Sequence, residues 1–90
     1  MEKSVRKSPN ERLADVRVLH RREVTQAEIA GEIGVDHTNL SHFEAGRRKT
    51  LGGLDRSSSI DRYARALVKL TGRSAEDLGI ADLLLEGVAA

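Results

Sequence analysis

The sequence predicts an all-α fold, for three reasons. Apolar residues recur at helical spacing, most clearly at Ile60, Tyr63, Ala64 and Leu67, which stand at i, i+3, i+4 and i+7. Residues typical of helix starts and stops bound each apolar segment. No segment has the clear pattern of a β-strand, and the scarcity of aromatic residues argues against a β-sandwich or a base-stacking sheet.

The first helix is expected to begin after Ser8, which can cap it. Pro9 suits the first helical position, and Glu11 completes a capping box. Residues 1–7 are polar and basic, which predicts a flexible arm. The helix is expected to run to about Arg22. Its apolar positions are Leu13, Val16 and either Leu19 or His20.

The second and third helices are short and follow each other closely. Thr25 and Glu28 form a second capping box, and Gly34 is expected to end this helix in the left-handed conformation. Asp36 can cap the third helix, which Gly46 closes. The apolar positions of the pair are Ile29, Ala30, Ile33, Val35, Leu40 and Phe43.

The rest of the chain predicts a loop and two further helices. Residues 50–58 have the composition of a loop, after which a serine caps the fourth helix, and Gly72 stops it. Ser74 offers another cap, and a fifth helix is predicted over residues 78–88. The predicted organisation is an arm (1–7), a central domain (8–73) and an acidic, apolar tail (74–90).

Composition narrows the class of protein. The net charge of +1 conceals a split, because residues 1–73 contain all 15 basic residues and residues 74–90 contain four acids and no base. That asymmetry indicates an anionic partner for the body, unless it is chance clustering in a small protein. Without cysteines there is no disulfide framework or thiolate metal site. No apolar run reaches the roughly 18 residues of a membrane span, and the N-terminus does not resemble a secretory signal. A soluble, cytoplasmic domain is expected.

The segment from Gln26 to Ala45 meets the demands of a helix-turn-helix. Ala30 is the small residue where two helices touch, and Gly34 supplies the turn four residues later. Beyond the turn, apolar residues occupy the three required core positions. With the ending Glu44-Ala45-Gly46-Arg47-Arg48-Lys49, the chain resembles the Cro and phage-repressor (lambda repressor-like, xenobiotic-response-element) helix-turn-helix family. The resemblance covers about residues 13–71 and is densest over 25–49.

The resemblance implies a compact five-helix domain whose third helix enters the major groove of DNA. The alternative for the exposed residues of this helix is an ordinary solvated face. Asn39 is expected either to contact an adenine edge or to hold a phosphate. The resemblance implies base contacts by His37, Thr38 and His42, and Asn39 is included with them as a candidate. The resemblance also implies a phosphate contact by Gln26, unless Gln26 is an ordinary capping-turn residue. Phosphate contacts are further predicted for Thr25 at the same helix start and for Arg47, Arg48 and Lys49, which directly follow the third helix, unless this basic run is only a solvated face.

By the same resemblance, Glu44 pairs inside the domain with Arg17 of the first helix. The chain departs from the family in two places. The stretch from Arg17 to Thr25 is about two residues longer than usual, and segment 50–58 is longer and lacks the common proline. That segment either adds a DNA backbone contact through Arg56 or is slack.

The sequence gives little support for a metal site or an enzyme active site. His37 and His42 stand five residues apart, so they do not form a metal-binding pair on one helix face, and no cysteine joins them. No nucleophile elbow or phosphate loop is present. We expect no enzyme activity, metal or cofactor.

The tail is apolar on two sides of the predicted fifth helix. One stripe can close the core, and the second is then left for a partner, most simply another copy of the chain. The alternative is that both stripes pack internally. The stripe assigned to a partner is Ile80, Leu83, Leu84 and Val88.

Together these features predict a sequence-specific, double-stranded DNA-binding transcriptional regulator, a repressor of bacterial or phage origin that acts as a homodimer. The main alternative is an antitoxin, which binds a toxin protein through the tail and represses its own promoter. A third is a protein-interaction module without DNA binding, against which Gln26 and the basic residues argue.

Overall fold

The computed structural model describes residues 7–85, and all regular structure in that range is helical and compactly packed. This confirms the all-α class. Residues 1–6 of the predicted arm, and Val88, lie outside the described residues. The elements are α1 (Pro9–Leu19), α2 (Gln26–Ile33), α3 (His37–Glu44), α4 (Arg56–Thr71), α5 (Ala75–Leu78) and a 3-10 turn (Ala81–Leu83).

The predicted caps of the first three helices are confirmed. Ser8 and Thr25 each form a reciprocal capping box with the glutamate three residues on. The Asp36 carboxylate accepts from the backbone N–H of Thr38 at 2.9 Å. Gly34 ends α2 at φ +87°, a conformation that costs a side-chain-bearing residue free energy. These signals are local, so the sequence alone reveals them.

The prediction that α1 reaches Arg22 is wrong, because the helix ends at Leu19. The chain turns there, and the N–H of Val24 donates to the carbonyl of His20 at 3.0 Å. Val24 is thereby buried, whereas the side chain of Leu19 is 77% exposed. Burying Val24 in the core is a tertiary effect that overrides the local pattern.

The fourth helix begins earlier than predicted. Its cap is Asp55, whose carboxylate accepts from the N–H of Ser58 at 2.7 Å, and this bond lowers the pKa of Asp55. Loop 50–58 is therefore shorter than expected, and it is not slack. Leu51 in it is fully buried, and its N–H donates to the Ser59 hydroxyl at 2.7 Å.

Helix α4 forms the centre of the domain, and α1, α2, α5 and the 3-10 turn all pack on it. The Phe43 and Tyr63 rings stack with centroids 5.9 Å apart, which joins α3 to α4. The largest fully buried apolar side chains are Tyr63, Phe43, Leu13, Ile29, Leu40, Leu51, Leu67, Ile80 and Val24.

The predicted fifth helix over 78–88 is wrong within the described residues. Gly79 takes φ +74° and ends α5 at Leu78, and only the short 3-10 turn follows. Ile80 is fully buried, so its assignment to a partner surface is also wrong. Leu83 and Leu84 are half-buried and pack against the core. The two apolar stripes were predicted for a continuous helix, and Gly79 interrupts that helix.

Two charged side chains fasten this tail to the domain. The Arg12 guanidinium on α1 donates to both carboxylate oxygens of Asp82, at 2.8 and 2.9 Å, and to the carbonyl of Gly79 at 3.0 Å. On α4, the Asp61 carboxylate accepts from the N–H of Leu85 at 2.9 Å.

None of the helices in residues 7–85 has the length and hydrophobicity that crossing a bilayer would require.

Candidate functional site

The turn between α2 and α3 is tightly fixed. The N–H groups of Gly34 and Val35 both donate to the carbonyl of Ala30, at 2.8 and 3.0 Å. The loop after α3 packs on this turn, since a Cβ added to Gly52 would lie 3.3 Å from Val35 Cγ1. The two helices are therefore held at a fixed angle by the turn and by the loop that covers it.

Helix α3 has one buried face, formed by Leu40, Phe43 and Glu44. At about 100° per residue, the direction opposite this face falls on Thr38 and His42. Thr38 is exposed and His42 is half-buried. These two predicted base-contacting residues therefore lie at the centre of the outward face of α3.

Two polar residues, Asn39 and Ser41, flank that centre, whereas His37 lies more than about 90° from it, on the side of Glu44. His37 and Ser41 are exposed, and Asn39 is half-buried. Within residues 7–85, none of the side chains of His37, Thr38, Asn39, Ser41 and His42 makes a hydrogen bond to another protein group. Their donors and acceptors thus remain available. Ser41 was missed from the sequence, although the same helical geometry would have included it.

The predicted phosphate contacts at the start of α2 are partly occupied by other bonds. The Thr25 hydroxyl accepts from the N–H of Glu28 at 3.2 Å and lies 3.2 Å from its carboxylate. The Gln26 amide donates to Glu44 at 2.8 Å. Among the described residues, the backbone N–H groups of Gln26 and Ala27 have no acceptor. These two N–H groups are better placed for an anion than the Thr25 hydroxyl.

The basic segment, Arg47 to Lys49, follows α3 directly. All three residues are exposed, and none of the three forms an ion pair within the part of the chain that the structure describes. The N–H groups of Arg47 and Arg48 donate to the carbonyl of His42, at 2.9 and 3.2 Å. The backbone of the basic segment is thereby folded back on the last turn of α3.

Beneath these surfaces lies a buried junction centred on Glu44. Arg17 of α1 makes a two-point contact with its carboxylate, at 2.6 and 2.9 Å. Gln26 of α2 and the Tyr63 hydroxyl of α4 donate to the same carboxylate. This confirms the expected pairing of Arg17 with Glu44, despite the longer stretch that follows Arg17. One carboxylate therefore joins four helices.

Hydrogen bonding, charge and burial at this junction raise the pKa values of Arg17 and Tyr63. The hydrogen bond from Arg17 to Glu44 raises the pKa of the guanidinium. Burial raises the pKa of the Tyr63 hydroxyl well above its usual range, and the neighbouring negative charge of Glu44 adds to that effect. The phenol consequently stays neutral and remains a hydrogen-bond donor.

Asn10 is a further residue that sequence reasoning missed as part of the site. It lies in the first turn of α1. Its side-chain amide donates to the carbonyl of Phe43 at 3.0 Å and to that of Arg48 at 2.9 Å. A single polar residue with partners more than thirty positions away leaves no signal in the sequence.

No group of three or more His, Cys, Asp or Glu in residues 7–85 is arranged to hold a metal ion. Comparison with family models, with curated proteins and with solved structures finds no match to the chain. The candidate site therefore rests on its own geometry and on the motif carried by residues 25–49.

Proposed function

We propose that the chain is a sequence-specific double-stranded DNA-binding transcriptional regulator, a repressor of the helix-turn-helix type found in bacteria and phages. One observation carries the proposal. The outward face of α3 presents Thr38 and His42 with unoccupied polar groups, and the exposed basic segment follows that helix directly.

The dimensions of α3 support insertion into the major groove. With its side chains an α-helix is about 10–12 Å across, and the major groove is about 12 Å wide. In this proposal Thr38 and His42 read base edges, with Asn39 and Ser41 at the flanks and His37 at the N-terminal end of the helix. Sequence preference then arises from hydrogen bonds and methyl contacts made by these few side chains.

The basic segment supplies affinity that does not depend on base sequence. Arg47, Arg48 and Lys49 place three positive charges beside the helix that reads the bases, and the free N–H groups at the start of α2 suit another phosphate. Such contacts fix the register of a protein on DNA. The negative charge of the Asp36 carboxylate opposes these phosphate contacts, but the carboxylate already accepts a hydrogen bond as the cap of α3.

Repression by occupancy of an operator is the simplest mechanism for such a domain, and it would take place in the cytoplasm. A homodimer would read two half-sites about 34 Å apart.

The antitoxin alternative has no specific support among the described residues, because Leu78 and Ile80 of the tail are buried inside the domain. The half-buried Leu83 and Leu84 remain the proposed contacts with a second copy.

The test is selection from a random pool of duplex DNA at about 0.15 M salt, near physiological ionic strength, with sequencing of the retained fraction. We expect enrichment of one short motif. A palindrome would indicate a dimer, and a lone half-site a monomer. The absence of any enriched motif at this and at lower salt would refute sequence-specific binding.

A matched pair of variants locates the contact. Replacing Arg47, Arg48 and Lys49 together with alanine is expected to abolish enrichment. Replacing Arg21, Arg22 and Arg62, three exposed arginines outside the proposed interface, removes the same charge and is expected to leave the motif and its recovery unchanged. Equal loss in both variants would indicate attraction by net charge rather than binding by this site.

A further inference from the structure

The side-chain amide of Asn10 joins the start of α1 to the end of α3 and to the basic segment. Asn10 is 3% exposed, so its polar atoms are shielded from water. Its two N–H groups point at two backbone carbonyls, those of Phe43 in the last turn of α3 and of Arg48 in the basic segment. Both donors of the amide are therefore used on one short stretch of chain.

These bonds complete the anchoring of that stretch. The carbonyl of His42 already accepts from the N–H groups of Arg47 and Arg48, which fixes the inner side of the turn. Asn10 fixes the outer end, at the carbonyl of Arg48. Without the amide, α1 would no longer restrain the basic segment, which would then be held only by its own bonds to α3 and by the buried Leu51 that follows it.

We propose that Asn10 is a positioning residue for DNA binding, which holds the basic segment at a set distance from the outward face of α3. This inference rests on the proposed function and deepens it. Phosphate contacts and base contacts lie on different parts of a duplex, so both form at once only if Arg47 and Arg48 keep a fixed relation to Thr38 and His42. Part of the rigidity of the basic segment thus comes from α1, which contributes no proposed DNA contact of its own.

Asparagine suits this role for a chemical reason. Two carbonyl oxygens face the side chain, so the residue must offer two donors without a charge. Aspartate has the same shape but presents acceptors to both carbonyls, and serine is too short to reach both. Asn10→Asp, Asn10→Ser and Asn10→Ala should therefore all release the segment, although they differ in size and charge.

The first measurement does not involve DNA. Amide hydrogen exchange in Asn10→Ala and Asn10→Ser is expected to accelerate at least tenfold at Arg47 and Arg48, relative to the amides in the middle of α4. The control is Leu78→Ala, which removes core packing on α5 without touching this turn. It should change exchange across the domain without favouring residues 47 and 48. Unchanged exchange at these residues in a folded Asn10 variant would overturn the proposal.

The second measurement is binding to the selected DNA at several salt concentrations, at a temperature where each variant is folded. Losing about one phosphate contact flattens the slope of log affinity against log salt by about one, a change of roughly three- to fourfold between 50 and 200 mM. The preferred base sequence should not change. Leu78→Ala should keep the wild-type slope, which separates positioning from general destabilisation.

The two failures are distinguishable. A wild-type chain that enriches no DNA motif refutes the proposed function, and hydrogen exchange alone then decides whether Asn10 holds the segment. A wild-type chain that binds specifically, with the same salt slope in Asn10→Ala as in the wild type, refutes the positioning role and leaves the proposed function in place.

Discussion

Replacing Glu44 with glutamine should destabilise the domain by about 3 kcal/mol. The carboxylate accepts from Arg17, Gln26 and Tyr63, and only 7% of its side chain is exposed. Glutamine keeps the shape but loses the charge, and it turns one acceptor into a donor that faces other donors. Removing one member of a buried ion pair typically costs about 3–5 kcal/mol. The lower end applies because 14% of the Arg17 side chain still meets water.

The assay is urea and thermal unfolding followed by circular dichroism. For a domain of this size, a loss of about 3 kcal/mol lowers the melting temperature by about 12–24 °C. The control is Glu76→Gln, an exposed acid on α5, which should change the free energy of unfolding by less than about 0.5 kcal/mol. The reasoning fails if Glu44→Gln costs less than about 1 kcal/mol.

A double-mutant cycle isolates the ion pair from the other contacts. Arg17→Met combined with Glu44→Leu removes both charges and leaves neither buried without a partner. The double variant should therefore be more stable than the sum of the two single losses predicts. Simple additivity would mean that the two-point contact contributes no coupling between α1 and α3.

Three further predictions concern recognition and pH. Thr38→Ala should reduce discrimination between the selected motif and its single-base variants by about 1–3 kcal/mol, measured by competition binding; unchanged motif and affinity would place the recognition face elsewhere. Arg47→Ala should weaken binding to all sequences alike and flatten the salt slope by about one, whereas Arg62→Ala should not. Stability should fall as pH rises above about 10, because the unfolded chain then releases the Tyr63 proton that the folded chain retains at its raised pKa. The stability advantage of the wild type over Tyr63→Phe should consequently shrink between about pH 9 and 11 in urea titrations, and a constant difference would contradict the assigned pKa shift.

Features set by neighbouring residues were predictable from the sequence. The capping boxes at Ser8 and Thr25, the Asp36 cap and the left-handed Gly34 each depend on a few adjacent positions, and each is confirmed. The outward residues of α3 followed from the same local geometry. The wrong predictions concern places where a helix gives way to tertiary packing.

The ends of α1 and α5 show why the pattern alone was insufficient. The first helix was predicted to continue past Leu19 to about Arg22, yet the chain turns at Leu19 so that Val24 enters the core. In the tail, the apolar spacing fits a helix that continues past Gly79. The positive φ angle of Gly79 instead ends α5 at Leu78. The role of Asn10 could not be predicted from the sequence for a different reason, since its hydrogen-bond partners are defined only after α1 and α3 have packed together.

The contacts of Arg12 and the burial of Ile80 set a late point at which this chain can complete its fold during synthesis. Its bonds to Asp82 and Gly79 span 70 and 67 residues, so the first helix finds these partners only after nearly the whole described chain has been made. A nascent chain that has emerged as far as α4 still lacks Ile80, a fully buried part of the core. Because domains generally fold as units, the ribosome-bound chain should not complete its core until residues 79–85 have emerged. A premature stop near residue 78 should therefore yield a degradation-prone product rather than a shorter folded domain.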